Sequence, residues 1–188
     1  MENKLYTRQQ IFEAIQYWTR QLKTLDENVN KTIDMLVDAF GEMRVFSHNY
    51  DYILTSEDLE KIYKLLNYSL FNNILGTISL EYWPEAFIIS KMNENSLKSG
   101  VFNSQASSAQ CYGAFSAVAK DIVGIDNNVM DIDIVEPIIM INKTYLKKCI
   151  FIFAVASICH EMIHYYDSFS KEFHLKYVEW KKHNTQFD

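Results

Sequence analysis

Two histidines four residues apart, His160 and His164, with Glu161 directly after the first, are the residues whose types and spacing most directly spell chemistry. On a helix, positions i and i+4 lie on one face, so both imidazoles can aim at one metal ion. Glu161 stands about 100° around the same helix, beside the ion instead of beneath it. This HExxH arrangement suits zinc: neutral imidazoles hold the ion, and the carboxylate takes a proton from the attacking water. The implied reaction is peptide-bond hydrolysis with Glu161 as general base. Coincidence on an ordinary helix is the competing reading, weakened because buried histidines without partners are costly.

Zinc hydrolases of this kind use three protein ligands and leave a position for water. The metzincin spacing is absent, since Asp167 stands where its glycine falls and Ser170 where its third histidine falls. The third ligand is therefore expected downstream, beyond a turn formed by Asp167, Ser168 and Ser170. His174 is the favoured candidate, bordering a predicted apolar stripe of Phe173, Tyr177 and Trp180. Glu172 and Glu179 are the carboxylate alternatives, and His183 lies near the chain end, where fraying disfavours a rigid ligand. Asp167 itself, seven residues after His160, is expected to orient a ligating histidine from outside the metal's own shell, with a helix-ending turn residue or the third ligand as its alternative roles.

Other elements must position this helix. The apolar run 151–159 predicts that it is anchored in a core, within a helix over 148–167. Ile11, Ile15, Trp18, Leu22 and Leu25 follow the helical period behind a Thr7 N-cap, and a second amphipathic helix over 28–40 ends at Gly41. These two predict an N-terminal helical hairpin, either a layer packed on the domain or a surface for a partner protein. A connection follows, in which His48 reads as a surface or turn residue. A third helix starts at Ser56. Strands are predicted over 77–83 and 86–91, separated by a turn at Pro84 and Glu85, then over 111–119 and 137–141, with a polar loop over 93–110. A last helix covers 171–183. The class is α+β, with an N-terminal extension over 1–54 and a second domain over 55–188.

Composition narrows the partners. The 188 residues carry 48% hydrophobic residues and only 5 glycines and 2 prolines, enough for a well-filled core. A net charge of −6 makes nucleic acid an unfavoured ligand, because phosphate binding is driven by Lys and Arg. Cys111, Cys149 and Cys159 form no CxxC pair and read as free thiols of a reducing compartment, most of them buried. Residues 1–23 lack the pattern of a secretory signal, and the run 150–159 is too short to span a bilayer. A soluble, cytoplasmic protein is expected.

The segment from His160 to Asp167, HEMIHYYD, resembles the metal site of SprT-like zinc peptidases, including those encoded by bacteriophages. Residues 66–72 are similar to that family's helix end before its first strand, residues 111–115 with Gly113 to its glycine-bearing strand, and 137–145 to the strand and turn before the metal helix. The resemblance covers about residues 55–184 and implies a zincin-like domain, a small β-sheet over the active-site helix. It further implies that Ile138, Ile139, Met140 and Ile141 form an edge that receives an extended substrate peptide, and that the setting is a host cytoplasm or a virion. The family's third ligand is a histidine commonly followed by glycine, whereas His174 precedes Leu175. Some relatives degrade proteins crosslinked to DNA, a substrate that the acidic balance here does not suggest. The alternative to an active peptidase is an interaction or virion-associated protein that keeps a structural zinc site.

Overall fold

Thr7 opens the first helix as its spacing predicts: its hydroxyl accepts from the Gln10 backbone N–H, and the Gln10 side chain accepts from Thr7 N–H. This reciprocal cap satisfies two donors that the first turn leaves without helical partners. In the computed structural model, residues 5–49, 53–93, 101–103, 112–125 and 129–184 are described, some by backbone alone. Helix α1 spans Arg8–Thr19, and α2 spans Asp26–Phe40, closed by Gly41 at φ 84°, a backbone region that side chains disfavour. A single turn, α3 (Glu42–Val45), leads to α4 (Ser56–Leu70), which Thr55 and Asp58 cap reciprocally.

The sheet is mixed. Its strands are β1 (Ser79–Trp83), β2 (Val101–Asn103), β3 (Gly113–Val123) and β4 (Val129–Asn142), in the order β1-β4-β3-β2. β4 pairs parallel with β1 and antiparallel with β3. Helix α5 (Glu85–Asn93) follows β1, the short α6 (Lys143–Leu146) follows β4, and α7 (Phe151–Asp167) and α8 (Lys171–Asn184) end the described chain. The class is α+β.

Two expectations are corrected here. Residues 86–91 are not a strand but lie in α5, where the carbonyl of Pro84 accepts from the N–H groups of Phe87 and Ile88. A short apolar run fits either element by periodicity alone, and among its described side chains only Ile88 is buried, against Ala114 and Met140 on the sheet. The second correction is larger. Ile138, Ile139, Met140 and Ile141 are not an edge, because they pair with 79–82 of β1 on one side and 113–116 of β3 on the other. Ile139 and Ile141 face the main core, while Ile138 and Met140 face α5. A strand covered on both faces reads as an unbroken apolar run, and that was the signal available in the sequence. The expected loop over 93–110 begins with the last residue of α5 and carries β2, and residues 94–100 and 104–110 lie outside those described.

The N-terminal helices belong to the same core as the rest. Ile11, Ile15, Ile33 and Leu36 form one continuous buried cluster with Leu66, Ile139, Val155 and Ile158. The Thr32 hydroxyl reaches the Ser69 hydroxyl at 2.8 Å, tying α2 to α4 within that cluster. Helices α1 and α2 therefore contribute a layer of that core. Among the described residues, no helix is long and apolar enough to cross a membrane.

Two of the cysteines have the environment expected of free thiols. Cys149 and Cys159 are buried and unbonded to one another, and burial pushes their thiols up to about 11 and about 12. Cys111 lies outside the described residues. Peptide mapping after brief iodoacetamide treatment at about pH 8 should find Cys149 and Cys159 unmodified in the native protein and modified in urea, since the thiolate is the reactive form. Ile33, fully buried in α2, supplies a second check. Ile33→Ala should lower unfolding stability by about 3 kcal/mol, the usual range for such a cavity, with denaturation still in one transition. An Ile33→Ala protein whose main transition does not move would separate the N-terminal helices from the core.

Candidate metal centre

Helix α7 is apolar on nearly every side, so it can only be stable inside. Ile152, Val155, Ile158, Cys159, Met162 and Ile163 are all buried, between the sheet and the helices α1 and α4. Apart from Tyr166 near its end, the open surface of the helix runs along one stripe. It holds Phe153, Ser157, His160, His164 and Asp167, alternately four and three residues apart, the spacing of a single helix face.

The two histidines converge on that stripe. Their Nε2 atoms lie 3.1 Å apart, with ring centroids at 4.7 Å and planes at 89°. Two nitrogens on a tetrahedral zinc ion stand about 3.3 Å apart for ordinary zinc–nitrogen bonds, so the pair is spaced as ligands are. One neutral imidazole donating to another gives a similar distance, and both arrangements exclude two protonated rings. Loss of solvent around the rings disfavours protonation of each. For His164, burial first and the neighbouring His160 second push the value down to about 4, and His160 is lowered by burial. Neutral rings keep the lone pairs that a metal needs.

Glu161 points the other way, into the protein, where it is only 5% exposed. Strand β3 lies directly on it at Gly113. A Cβ at that glycine would stand 3.1 Å from the Met140 carbonyl oxygen and 3.4 Å from Glu161 Cγ. Close approach favours glycine here, since a side chain would oblige the Met140 carbonyl to give by a few tenths of an ångström. The contact is flanked by aromatic packing: Tyr112 meets Phe153 edge-on at 4.8 Å, and Phe115 stacks on Tyr165 at 5.2 Å. These rings fix the position of β3 along α7, and with it the Glu161 side chain.

The expected third ligand is elsewhere. His174 sits on α8 with both ring nitrogens engaged: Nδ1 lies 2.7 Å from Asp131 Oδ1, and Nε2 donates to the Ser168 carbonyl at 3.0 Å. Asp131 is held below the ordinary carboxylate range by the Ile132 N–H and then by His174. The reason is the direction of α8. After the tight turn at Ser168 and Ser170, it packs across the far part of β4, where Tyr177 and Ile132 are buried together. Its His174 therefore faces the β3–β4 hairpin. Asp131 was not legible as the partner, being 43 residues upstream.

Asp167 makes no described hydrogen bond to either histidine. It shares their stripe but lies about 10 Å along the axis from His160 at the helical rise, and His164 leans back toward His160. Burial raises its carboxyl above the usual value. Glu179 is exposed on α8. The side chains of Glu172 and His183 lie outside those described. Among the described residues, no group of three or more His, Cys, Asp or Glu side chains is placed to hold a metal ion. Comparison with protein-family models, curated proteins and solved structures gives no match.

The lowered histidine sets a pH dependence. The unfolded chain binds a proton at His164 near pH 6.5, and the folded chain only near 4. Its contribution is thus fully present above the unfolded value and is lost as pH falls through that window. In buffer with a chelator, urea denaturation should show the stability difference between wild type and His164→Gln shrinking steadily from about pH 7 to about pH 4. A difference independent of pH would mean that His164 is not held neutral.

Proposed function

We propose that this chain is a zinc-dependent peptidase with a zincin-like, SprT-like architecture, in which His160 and His164 ligate the metal and Glu161 is the general base. The observation that supports the reading is the convergence of the two Nε2 atoms at 3.1 Å on a rigid helix, with the adjacent carboxylate enclosed beneath Gly113. When bound, the ion supplies Lewis acidity to the scissile carbonyl and to the attacking water. The protein's own part is preorganisation. The histidines are held neutral by desolvation, so no proton must leave before a metal is bound. Packing under β3 fixes the Glu161 side chain, so it need not be ordered at the moment of reaction. Its task there is to accept the proton of the attacking water and return it to the leaving amine.

The substrate proposed is a protein or peptide, bound along the open stripe of α7. A cytoplasmic setting suits the two buried free thiols, which an oxidising compartment would not require to be reduced.

The test has two readouts. Zinc content of the purified protein should be near one per chain in wild type and in Glu161→Gln, and should be lost in His160→Ala and His164→Ala. His174→Gln should keep its zinc, because His174 is committed to Asp131 and Ser168. Cleavage of casein or of a mixed peptide library should fall by at least about a hundredfold in Glu161→Gln. Unchanged zinc content in His160→Ala would remove the metal centre. Retained zinc in a wild type as inert as Glu161→Gln would leave a structural metal site and end the peptidase reading.

A further inference from the structure

The open stripe of α7 does not begin at His160. Two turns earlier, on the same face, it holds Phe153, which is 38% exposed in a helix that is otherwise mostly buried. At the helical rise and rotation the two positions stand about 10 Å apart along the axis and about 20° apart around it. Ser157 lies between them, its hydroxyl turned back onto the Phe153 carbonyl at 3.0 Å. No large side chain of α7 therefore interrupts this face between the histidines and Phe153.

At Phe153 the stripe opens into a hollow of about 630 Å³, within the range of ligand cavities and more than one side chain fills. Its walls are aromatic: Tyr6 and Trp18 on the N-terminal side, and Tyr112, Tyr145 and Phe153 on the other. Neighbours hold most of these rings. Tyr112 packs edge-on against Tyr145 at 5.4 Å and against Phe153 at 4.8 Å. Tyr6 stacks on His48 at 3.5 Å, so that histidine is partly buried and not the surface residue expected. Glu85 engages the Tyr145 hydroxyl, and its charge raises that phenol above the usual value. Turning these rings inward to fill the space would cost those contacts.

The walls discriminate among side chains. A ring that enters leaves water and meets other rings edge-on or offset. An ionised side chain would give up its hydration for aromatic surroundings. Either sign also meets a like charge, because the Glu85 carboxylate backs one wall and Lys148 stands at the rim. A large neutral side chain carries neither penalty.

We infer that this hollow selects the peptide substrate, receiving one large neutral apolar side chain (phenylalanine, tyrosine, tryptophan or leucine) at a fixed distance from the bond that is cut. The inference rests on the proposed hydrolysis at His160, Glu161 and His164, with the peptide lying along the α7 stripe. An extended chain advances about 3.3 Å per residue, so the separation along the helix corresponds to about three residues. The selected residue stands on one side of the scissile bond only, since the hollow lies at one end of the stripe. Ala14 and Trp18 of α1 line it, which gives the N-terminal layer a part in specificity besides its part in the core.

In the experiment the zinc-loaded full chain is mixed with a peptide library from a proteome digest, and the cut sites are read by mass spectrometry. Large apolar residues should be enriched at a single position, about two to four residues from the bond. In a peptide built on the best-cut sequence, alanine at that position should lower kcat/KM by at least about tenfold, the worth of one buried ring. Aspartate or lysine there should lower it further. Binding of the same peptides to Glu161→Gln in EDTA, followed by saturation-transfer NMR, should fall in the same order. Ala14→Phe adds a ring to the lining and should bring the best-cut peptide down to the level of its alanine version. Ala14→Leu, a smaller addition, should narrow the same ratio, with thermal melts and zinc content showing that each variant is folded. No zinc-dependent cleavage of any peptide would remove the hydrolysis reading and this inference with it. Three results would overturn the inference alone: zinc-dependent cleavage without a preferred residue at that distance, binding to Glu161→Gln that ignores that residue, or a preference undiminished in both folded variants.

Discussion

The burial of α7 is the constraint from which the rest of the architecture follows. A helix with Ile152, Val155, Ile158, Cys159, Met162 and Ile163 around most of its circumference can be stable only where other elements cover it. Each such side chain removed from water contributes about 1.5–3 kcal/mol, so the cover is worth more than any polar contact at the site. The sheet covers one side, and α1 and α4 cover the others. What is left over is one stripe, and both histidines are on it. Packing of the apolar residues thus decides which polar residues reach the open face.

The same packing separates the roles of adjacent residues. His160 and His164 occupy the open side, while Glu161, one position on, turns beneath β3. Position 113 has no side chain where the Met140 carbonyl and the Glu161 side chain approach closely, and a Cβ there would crowd the carbonyl and touch Glu161. Tyr112 and Phe115 hold β3 in register along the helix through Phe153 and Tyr165. The contact is steric, and its effect is to hold the Glu161 side chain beneath β3.

Beyond the turn at Ser168, a different contact takes over. α8 is drawn to the β3–β4 hairpin by Tyr177 and Ile132 and fastened there by His174 on Asp131. The histidine that sequence spacing favoured as a third ligand is thereby a tether between helix and hairpin. A helix beyond a tight turn can point in several directions, and its apolar stripe says that it packs, not upon what. That choice depends on a hairpin longer than its sequence pattern shows, with β4 running from Val129 to Asn142 where only 137–141 reads plainly as a strand.

By itself, the sequence determined the local features. The Thr7 cap, the Gly41 stop, the apolar anchor before His160, and the i,i+4 geometry of the histidines all follow from interactions within a few residues. The α+β class follows from their order. Tertiary structure alone decided that Ile138–Ile141 lies inside the sheet, that α1 and α2 share the main core, that Gly113 roofs Glu161, and that His174 turns to Asp131. Each of these joins segments far apart in the chain. Periodicity reports that a face is apolar or that a side chain can ligate, but the partner across the gap is set by which surfaces bury the most area together.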